Sequence, residues 1–437
     1  MIKKINILVI ISLIASFTIA SYADQKLVIV SPHWEGIRKE FTRTFQGWYT
    51  KNYKDNVEIE WMDQGGGSDV LRYLKSEYTK KPNGIGIDMF FGGGLDPYLE
   101  LAKSNLLVSY RVPDKYLKSI PATYSGIPLY DKQYRWYGAA LAGFGILENT
   151  VVINQMRLPQ VKTWADLTNP KLKGWVGSAD PRHSGSVHMM YEIILQAYGW
   201  DKGWEIITQL GANTKSFPKA ASVTPDDVKL GEVAYGLAID VYAWSKINEV
   251  GKDKLRYIFP QGVTVINPDC IAILKGAPHL EVAKAFETFV LTPEAQKLLM
   301  LPKGAPEGPQ EFTLNRISVL PSLFTELGSR SIIAVDPFKI KPGLNYDPDK
   351  GAARYILIND LIGAMIIDTH TELMNAWNKV IARGAKPAAI QQLCRPPITE
   401  ADAMQLTQSK WNDQAFRNQK VADWIRYAQQ KYAAFGK

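Results

Sequence analysis

Short apolar runs alternate with amphipathic stretches along the first third of the chain. Lys26 to Ser31 is a β-branched run suited to a buried strand. A turn at Pro32–Gly36 leads into a helical pattern over 37–52. A second strand is predicted over 57–62, ending in Asp63-Gln-Gly-Gly-Gly-Ser68-Asp69, with a helix from Val70. A third, Ile87 to Phe91, ends in Gly92-Gly93-Gly94. Strand, polar or glycine turn, then helix is the signature of an α/β lobe with a mainly parallel sheet. Ligands of such sheets bind outside the carboxyl ends of the strands. His33, Gly66, Gly67, Ser68 and Gly93 therefore fall on one expected rim.

The middle of the chain repeats the arrangement. Residues 136–154 read as a long extended crossing. Thr163-Trp-Ala-Asp166 opens a capped helix. Trp175 to Ser178 reads as a strand that feeds Asp180-Pro-Arg-His-Ser184-Gly185-Ser186. Val187, Met190, Tyr191, Ile194 and Tyr198 then recur at helical spacing, and Gly199 stops the helix. Ser184 and Ser186 sit where the first backbone N–H groups have no intrahelical partner. Two readings stay open: Ser184 as an N-cap alone, or a helix start that receives an anion. Leu230 to Asp240 runs a turn into a strand, leaving Asp240 and Tyr242 at its carboxyl end. Residues 263–274 read as the return crossing, with Asp269 near the hinge. Thr292-Pro-Glu caps a further helix. Residues 304–350 carry no clear period. One apolar helix is predicted over 355–368, continuing to 383, with further helices near 399–408 and 416–434.

The N-terminus changes the picture of where the chain works. Met1-Ile-Lys-Lys, an apolar run over 5–20 and Ser21-Tyr22-Ala23 read as a signal peptide cleaved after Ala23, giving an exported, periplasmic product. The formal charge of the 437-residue chain is +8, with Lys and Arg dispersed. That balance favours anionic solutes and gives no nucleic-acid arm. The two cysteines, Cys270 and Cys394, either pair in the oxidising compartment or are buried separately. No cofactor is expected, and metal binding is left open. An enzyme is disfavoured, because no Gly-x-Ser-x-Gly elbow accompanies the serines, and neither glycine run ends as a P-loop does.

Four segments together resemble the periplasmic solute-binding proteins of ABC importers, in the group of ferric-iron, thiamine, phosphoglycerate and hexose-phosphate binders. They are Asp63-Gln-Gly-Gly-Gly-Ser-Asp-Val; Thr163-Trp-Ala-Asp-Leu with Lys173-Gly-Trp-Val; Asp180-Pro-Arg-His-Ser-Gly-Ser; and Ile271-Ala-Ile-Leu-Lys-Gly with Thr292-Pro-Glu-Ala-Gln. The resemblance implies an α/β, two-lobe periplasmic-binding-protein fold (type II-like) with a C-terminal helical extension. Residues 24–145 and 266–437 would form the N-terminal lobe, extension included, and 146–265 the C-terminal lobe. The resemblance further implies a small-molecule solute held between closing lobes, an inner-membrane ABC permease as partner, and a monomer. The implied ligand residues are His33, Gly66, Gly67, Ser68, Gly93, Ser184, Gly185, Ser186, Asp240, Tyr242 and Asp269. Ferric binders carry adjacent tyrosines where this chain has Val241-Tyr242-Ala243, which weighs against iron; with an anion at Ser184 and Ser186 and hydroxyls at Asp240, a phosphorylated sugar or polyol or related organic anion is favoured. Ferric iron, and ligand sensing for a membrane histidine kinase, remain alternatives.

Overall fold

The computed structural model describes residues 25–436 apart from 125, 334, 335 and 340–342; the leader and its cleavage site lie outside the described residues. The chain begins with β1 (Gln25–Val30), α1 (Glu35–Tyr53), β2 (Val57–Met62), α2 (Gly67–Lys80), β3 (Met89–Phe91), α3 (Asp96–Lys103) and α4 (Asp114–Leu117). A small hairpin, β4 (Thr123–Tyr124) and β5 (Ile127–Pro128), follows. Strand β6 (Tyr137–Asn149) then carries the chain into a second unit. That unit contains α5 (Thr150–Met156), β7 (Val176–Gly177), α6 (Gly185–Tyr198), α7 (Trp200–Asn213), α8 (Val223–Leu230), β8 (Tyr235–Ile239), α9 (Asp240–Val250) and β9 (Leu255–Ile258). Strand β10 (Ile266–Ile273) returns, and α10 (Leu280–Val290), α11 (Pro293–Met300) and α12 (Pro321–Leu327) complete the first unit. Five helices end the chain: α13 (Pro348–Ile362), α14 (His370–Ala382), α15 (Pro387–Cys394), α16 (Glu400–Gln408) and α17 (Gln414–Ala433).

The strand order is β2-β1-β3-β10-β6-β8-β7, with β9 also on β6. β1 pairs in parallel with β2 and β3, whereas β10 is antiparallel to both β3 and β6. The sheet is therefore mixed: the two crossing strands run opposite to each other, β10 against β3 and β6, and β6 against β8 and β9. β6 is 13 residues long and buried throughout. Its first half pairs with β10 and its second half with β8 and β9, so one strand belongs to both lobes. We propose the lobe boundaries at 145/146 and 265/266.

The extension was expected in the first lobe; we propose that it bridges both lobes. Helices α14 and α15 pack on α7, and α13 packs on α6 as well as on α3 of the first lobe. Apolar burial explains this: Leu357, Ile358, Leu361, Ile366, Trp377 and Leu393 join a core that contains residues of α2 and α3 as well as of α6 and α7. The expected single helix over 355–383 is also interrupted. A π-helical turn over Gly363–Ile367 separates α13 from α14, within a stretch too uniformly apolar to show a phase break. Cys270 and Cys394 are each buried and free. No helix among the described residues is long and apolar enough to cross a membrane.

Candidate functional site

The carboxyl ends of the strands and the amino ends of several helices meet in a cleft of about 530 Å³. Helices α2, α6 and α9 begin on its walls at Gly67, Gly185 and Asp240. Free amide groups and the positive ends of helix dipoles thus converge there.

Glycine is required where the walls touch. A Cβ on Gly66 would lie 1.8 Å from the carbonyl oxygen of His183, and one on Gly185 would lie 3.0 Å from that of Gly93. Further polar contacts tie the two rims. The imidazole Nδ1 of His183 lies 3.0 Å from Asp69, and the Ser68 hydroxyl donates to the Pro181 carbonyl. The two rims of the cleft are therefore in contact.

Its floor is ionic. Asp269 sits at a β-bulge between Asp269 and Cys270, a device that re-aims a side chain at a strand's end. Its Oδ2 accepts from Arg316 Nη2 at 2.5 Å and from His33 Nε2 at 2.9 Å, and its Oδ1 accepts from the Gly94 amide. Burial works against the Asp269 charge, but Arg316, His33 and the Gly94 amide outweigh it and hold its carboxyl well below the usual range. Burial also keeps His33 below its ordinary value in spite of Asp269. The two partners do not share one proton state: Arg316 supplies the positive charge and His33 is neutral. His33 Nδ1 and Arg316 Nε are buried without a partner in the protein, so the floor retains one unused acceptor and one unused donor.

Ser184 caps α6 by accepting from the Val187 amide, and its hydroxyl lies 3.2 Å from that of Ser186. Ser184, Gly185 and Ser186 all line the cleft, as do His33, Gly66, Gly67, Gly93, Tyr242 and Asp269. Two expected ligand residues do not. The Ser68 hydroxyl is engaged by Pro181 and by the Tyr355 hydroxyl at 2.6 Å. Asp240 turns away: its carboxylate accepts the amides of Gly143 and Val241, bracing β6 against α9. Its pKa is pushed up to about 6, chiefly by burial.

The cleft also contains residues that the sequence pattern did not select. Arg316, Arg38, Lys219 and Tyr355 line it. Arg316 lies in the stretch that has no period, beside a lone bridge between Leu141 and Ile317; only its position before an apolar Ile-Ser-Val-Leu run hinted at burial. Tyr242 is pushed above its ordinary pKa by burial, so its phenol keeps its proton. Among the described residues, no group of three or more His, Cys, Asp or Glu side chains is placed to hold a metal ion.

Comparison with known proteins adds the following. A family profile described as bacterial extracellular solute-binding protein matches residues 84–315. Phosphoglycerate transport regulatory protein PgtC of Salmonella typhimurium is 30% identical over 161 residues, which are 37% of this chain and 39% of that protein. The match thus spans well under half of that curated relative. Among solved structures, the periplasmic binding protein P5PA superposes with a TM-score of 0.65 at 22% identity, covering 78% of this chain and 100% of that one. AfuA from Actinobacillus pleuropneumoniae, with fructose-6-phosphate bound, gives 0.61 at 22% identity, covering 81% and 97%. The ferric binding protein from Campylobacter jejuni gives 0.57 at 19% identity, covering 77% and 99%. At these identities the structures establish the fold.

Proposed function

The chain belongs to the bacterial extracellular solute-binding proteins, and from that premise we propose that its cleft captures a phosphorylated sugar, polyol or related organic anion. As a member of that family it is the periplasmic component of an ABC importer. It binds a small-molecule solute and hands it to a membrane permease, without catalysing a reaction.

The observation that carries the anionic reading is Arg316. A buried guanidinium with an unused Nε lines the same cleft as the Ser184–Ser186 start of α6. Planar guanidinium and helix-start amides are the groups that suit a phosphate or carboxylate. Lys219 also stands on the walls, as does Arg38, which is paired with Asp63. His33 Nδ1 offers an acceptor to a hydroxyl, so a solute with an anion at one end and hydroxyls at the other satisfies both. The likeness to AfuA with fructose-6-phosphate, and to PgtC, supports the same class.

A ferric ligand is the second reading, favoured by the likeness to ferric binding proteins. Tyr242 stands in the cleft, but its raised pKa works against a phenolate donor. The regulatory role named for PgtC favours a third reading, presentation of the solute to a membrane sensor.

A thermal-shift series on the exported protein separates these. Its probes are fructose 6-phosphate, 3-phosphoglycerate, inorganic phosphate and ferric citrate. A ligand at 100 times its dissociation constant stabilises by about 2.7 kcal/mol. A phosphate ester should raise Tm, and Ser186→Asp should abolish the shift by placing a carboxylate against the anion. A shift with ferric citrate alone, or an unchanged shift in Ser186→Asp, overturns the reading.

A further inference from the structure

On one wall of the cleft, lined by Asp96 and Tyr355, three parts of the chain meet at one buried junction. Asp96 starts α3 in the first lobe, His188 and Glu192 lie on α6 in the second, and Tyr346, Arg354, Tyr355 and Asn359 come from the extension. The extension's attachments to the two lobes differ in kind.

To the second lobe it is bound strongly. Arg354 is completely buried; its Nε and Nη2 grip the Glu192 carboxylate at 2.7–3.1 Å, and its Nη1 reaches Glu400 at 2.6 Å. Arg182, already paired with Asp180, also donates twice to Asp368 at 2.8 and 2.9 Å. Trp377 Nε1 donates to Asn213, and Ile366 covers Gly211, where a Cβ would lie 2.4 Å from its Cγ2. Charge-assisted forks and close apolar packing of this kind do not part readily.

To the first lobe it is bound mainly by α13 lying along α3, its broadest single contact with either lobe. Tyr355 makes one hydroxyl–hydroxyl bond with Ser68 at the start of α2. The Tyr355 ring also lies against His188, tilted by 37° with centroids 3.8 Å apart, and its hydroxyl lies 3.2 Å from the place a Cβ of Gly185 would occupy. Tyr355 thus wedges between the starts of α2 and α6, the two rims that close on a solute. At the same junction His188 Nε2, Asp96 Oδ1 and the Tyr346 hydroxyl are buried with no hydrogen-bond partner. Polar groups left so are cheaply rehydrated when the contact opens, which suits a joint that is made and broken.

We propose that the extension is a latch for the cleft: held to the second lobe by its ion pairs, α13 docks on the first through α3 and the Tyr355–Ser68 hydroxyl pair only when the lobes shut. Tyr355 is then a positioning residue. It acts on the solute through the rims and raises affinity by favouring the shut state, since a ligand's apparent affinity is set by the fraction of protein able to bind it. This rests on the reading of the cleft as a solute site between closing lobes.

The test measures lobe separation directly. Spin labels are placed at Lys39→Cys on α1 and Val223→Cys on α8; both native residues are exposed, and both native thiols are buried. Pulsed-EPR distances are collected on the exported chain without solute, with fructose 6-phosphate and with 3-phosphoglycerate. The wild type should show a short-distance, shut population in the absence of solute. Tyr355→Phe should lower its shut-to-open ratio about two- to tenfold, the range of one neutral hydrogen bond. Ser68→Ala, changed on the opposite lobe, should do the same. Melting temperature without solute should stay within a few degrees, separating a latch from a merely structural contact. Unchanged distance distributions in both variants overturn the latch, as does a wild type with no shut population under any condition. If neither phosphate ester shifts the wild-type distances but the two variants still open the solute-free protein, the ligand class fails and the latch stands.

Discussion

Two buried histidine–aspartate pairs lie close together in this protein and behave in opposite ways. His33 and Asp269 meet at 2.9 Å on the floor of the cleft; His188 and Asp96 face each other at 3.8 Å in the junction on one of its walls. All four side chains are withdrawn from water. At the floor, Arg316 donates to Asp269 and the carboxylate keeps its charge. At the junction no cation contacts Asp96. Burial, with Glu192 adding to it, pushes Asp96 up to about 8, and burial pushes His188 down to about 4. Although close enough to count as an ion pair, the second pair is a neutral acid facing a neutral imidazole. A buried charge survives only with a counter-charge and hydrogen bonds. One guanidinium therefore separates a region built to receive a charged solute from one built to join and part without charge.

Removing that guanidinium should make the first pair resemble the second. Arg316→Met leaves the Asp269 carboxylate buried without its main partner, at an expected cost of about 3–5 kcal/mol near neutral pH. Urea unfolding at pH 7 measures it, and Arg316→Met combined with Asp269→Asn should recover part of the loss. A cost below about 1 kcal/mol would mean that His33 and the Gly94 amide hold the charge unaided.

The junction pair predicts a pH dependence. A carboxyl whose pKa is raised in the folded chain stabilises it fully below the ordinary value near 4, and that contribution is lost as pH rises towards 8. His188, lowered in the folded chain, acts in the other direction, but only as pH falls from about 6.5 towards 4. Between pH 6.5 and 8 Asp96 acts without that opposition. The wild type should lose about 2 kcal/mol relative to Asp96→Asn across this window, at about 1.4 kcal/mol per pH unit. Parallel stability curves for the two proteins would show that Asp96 is ionised in the native state.

Ser184→Ala touches neither pair and gives the smallest change. Loss of the cap on α6 should cost about 1 kcal/mol, by the same amount at pH 6.5 and pH 8 in chemical denaturation. A pH-dependent loss would tie the cap to the His188–Asp96 pair on or beside the same helix.

Much of this architecture was legible in the sequence because local signals fix it. Strand β2 occupies its expected span, and Thr292 caps α11 by accepting from Ala295. The glycines after β2 and β3 stand where His33 and His183 leave no room for a side chain. Side-chain direction was not legible. Ser68 and Asp240 lie at helix starts on the rim, yet one hydroxyl is claimed by the extension and one carboxylate by the β6 backbone. Arg316 and Tyr355 reach the cleft from segments far along the chain, through tertiary packing that carries no local period.

The place of β10 has a consequence for the order in which the molecule is built. β10 lies between β3 and β6, in the middle of the first lobe's sheet. Until residues 266–273 have been synthesised and brought into place, β3 has no neighbour on that side. The residues between β6 and β10 are contiguous and include β7, β8, β9 and α5–α9. The sheet and helices of the second lobe can therefore form from a single stretch of chain, to be covered later by the C-terminal helices, whereas the first must wait for a partner roughly 175 residues downstream of β3 and bear the slow closure of so long a loop. Refolding should proceed from the second lobe to the first, with the exposed edge of β3 as the surface most prone to aggregate on the way.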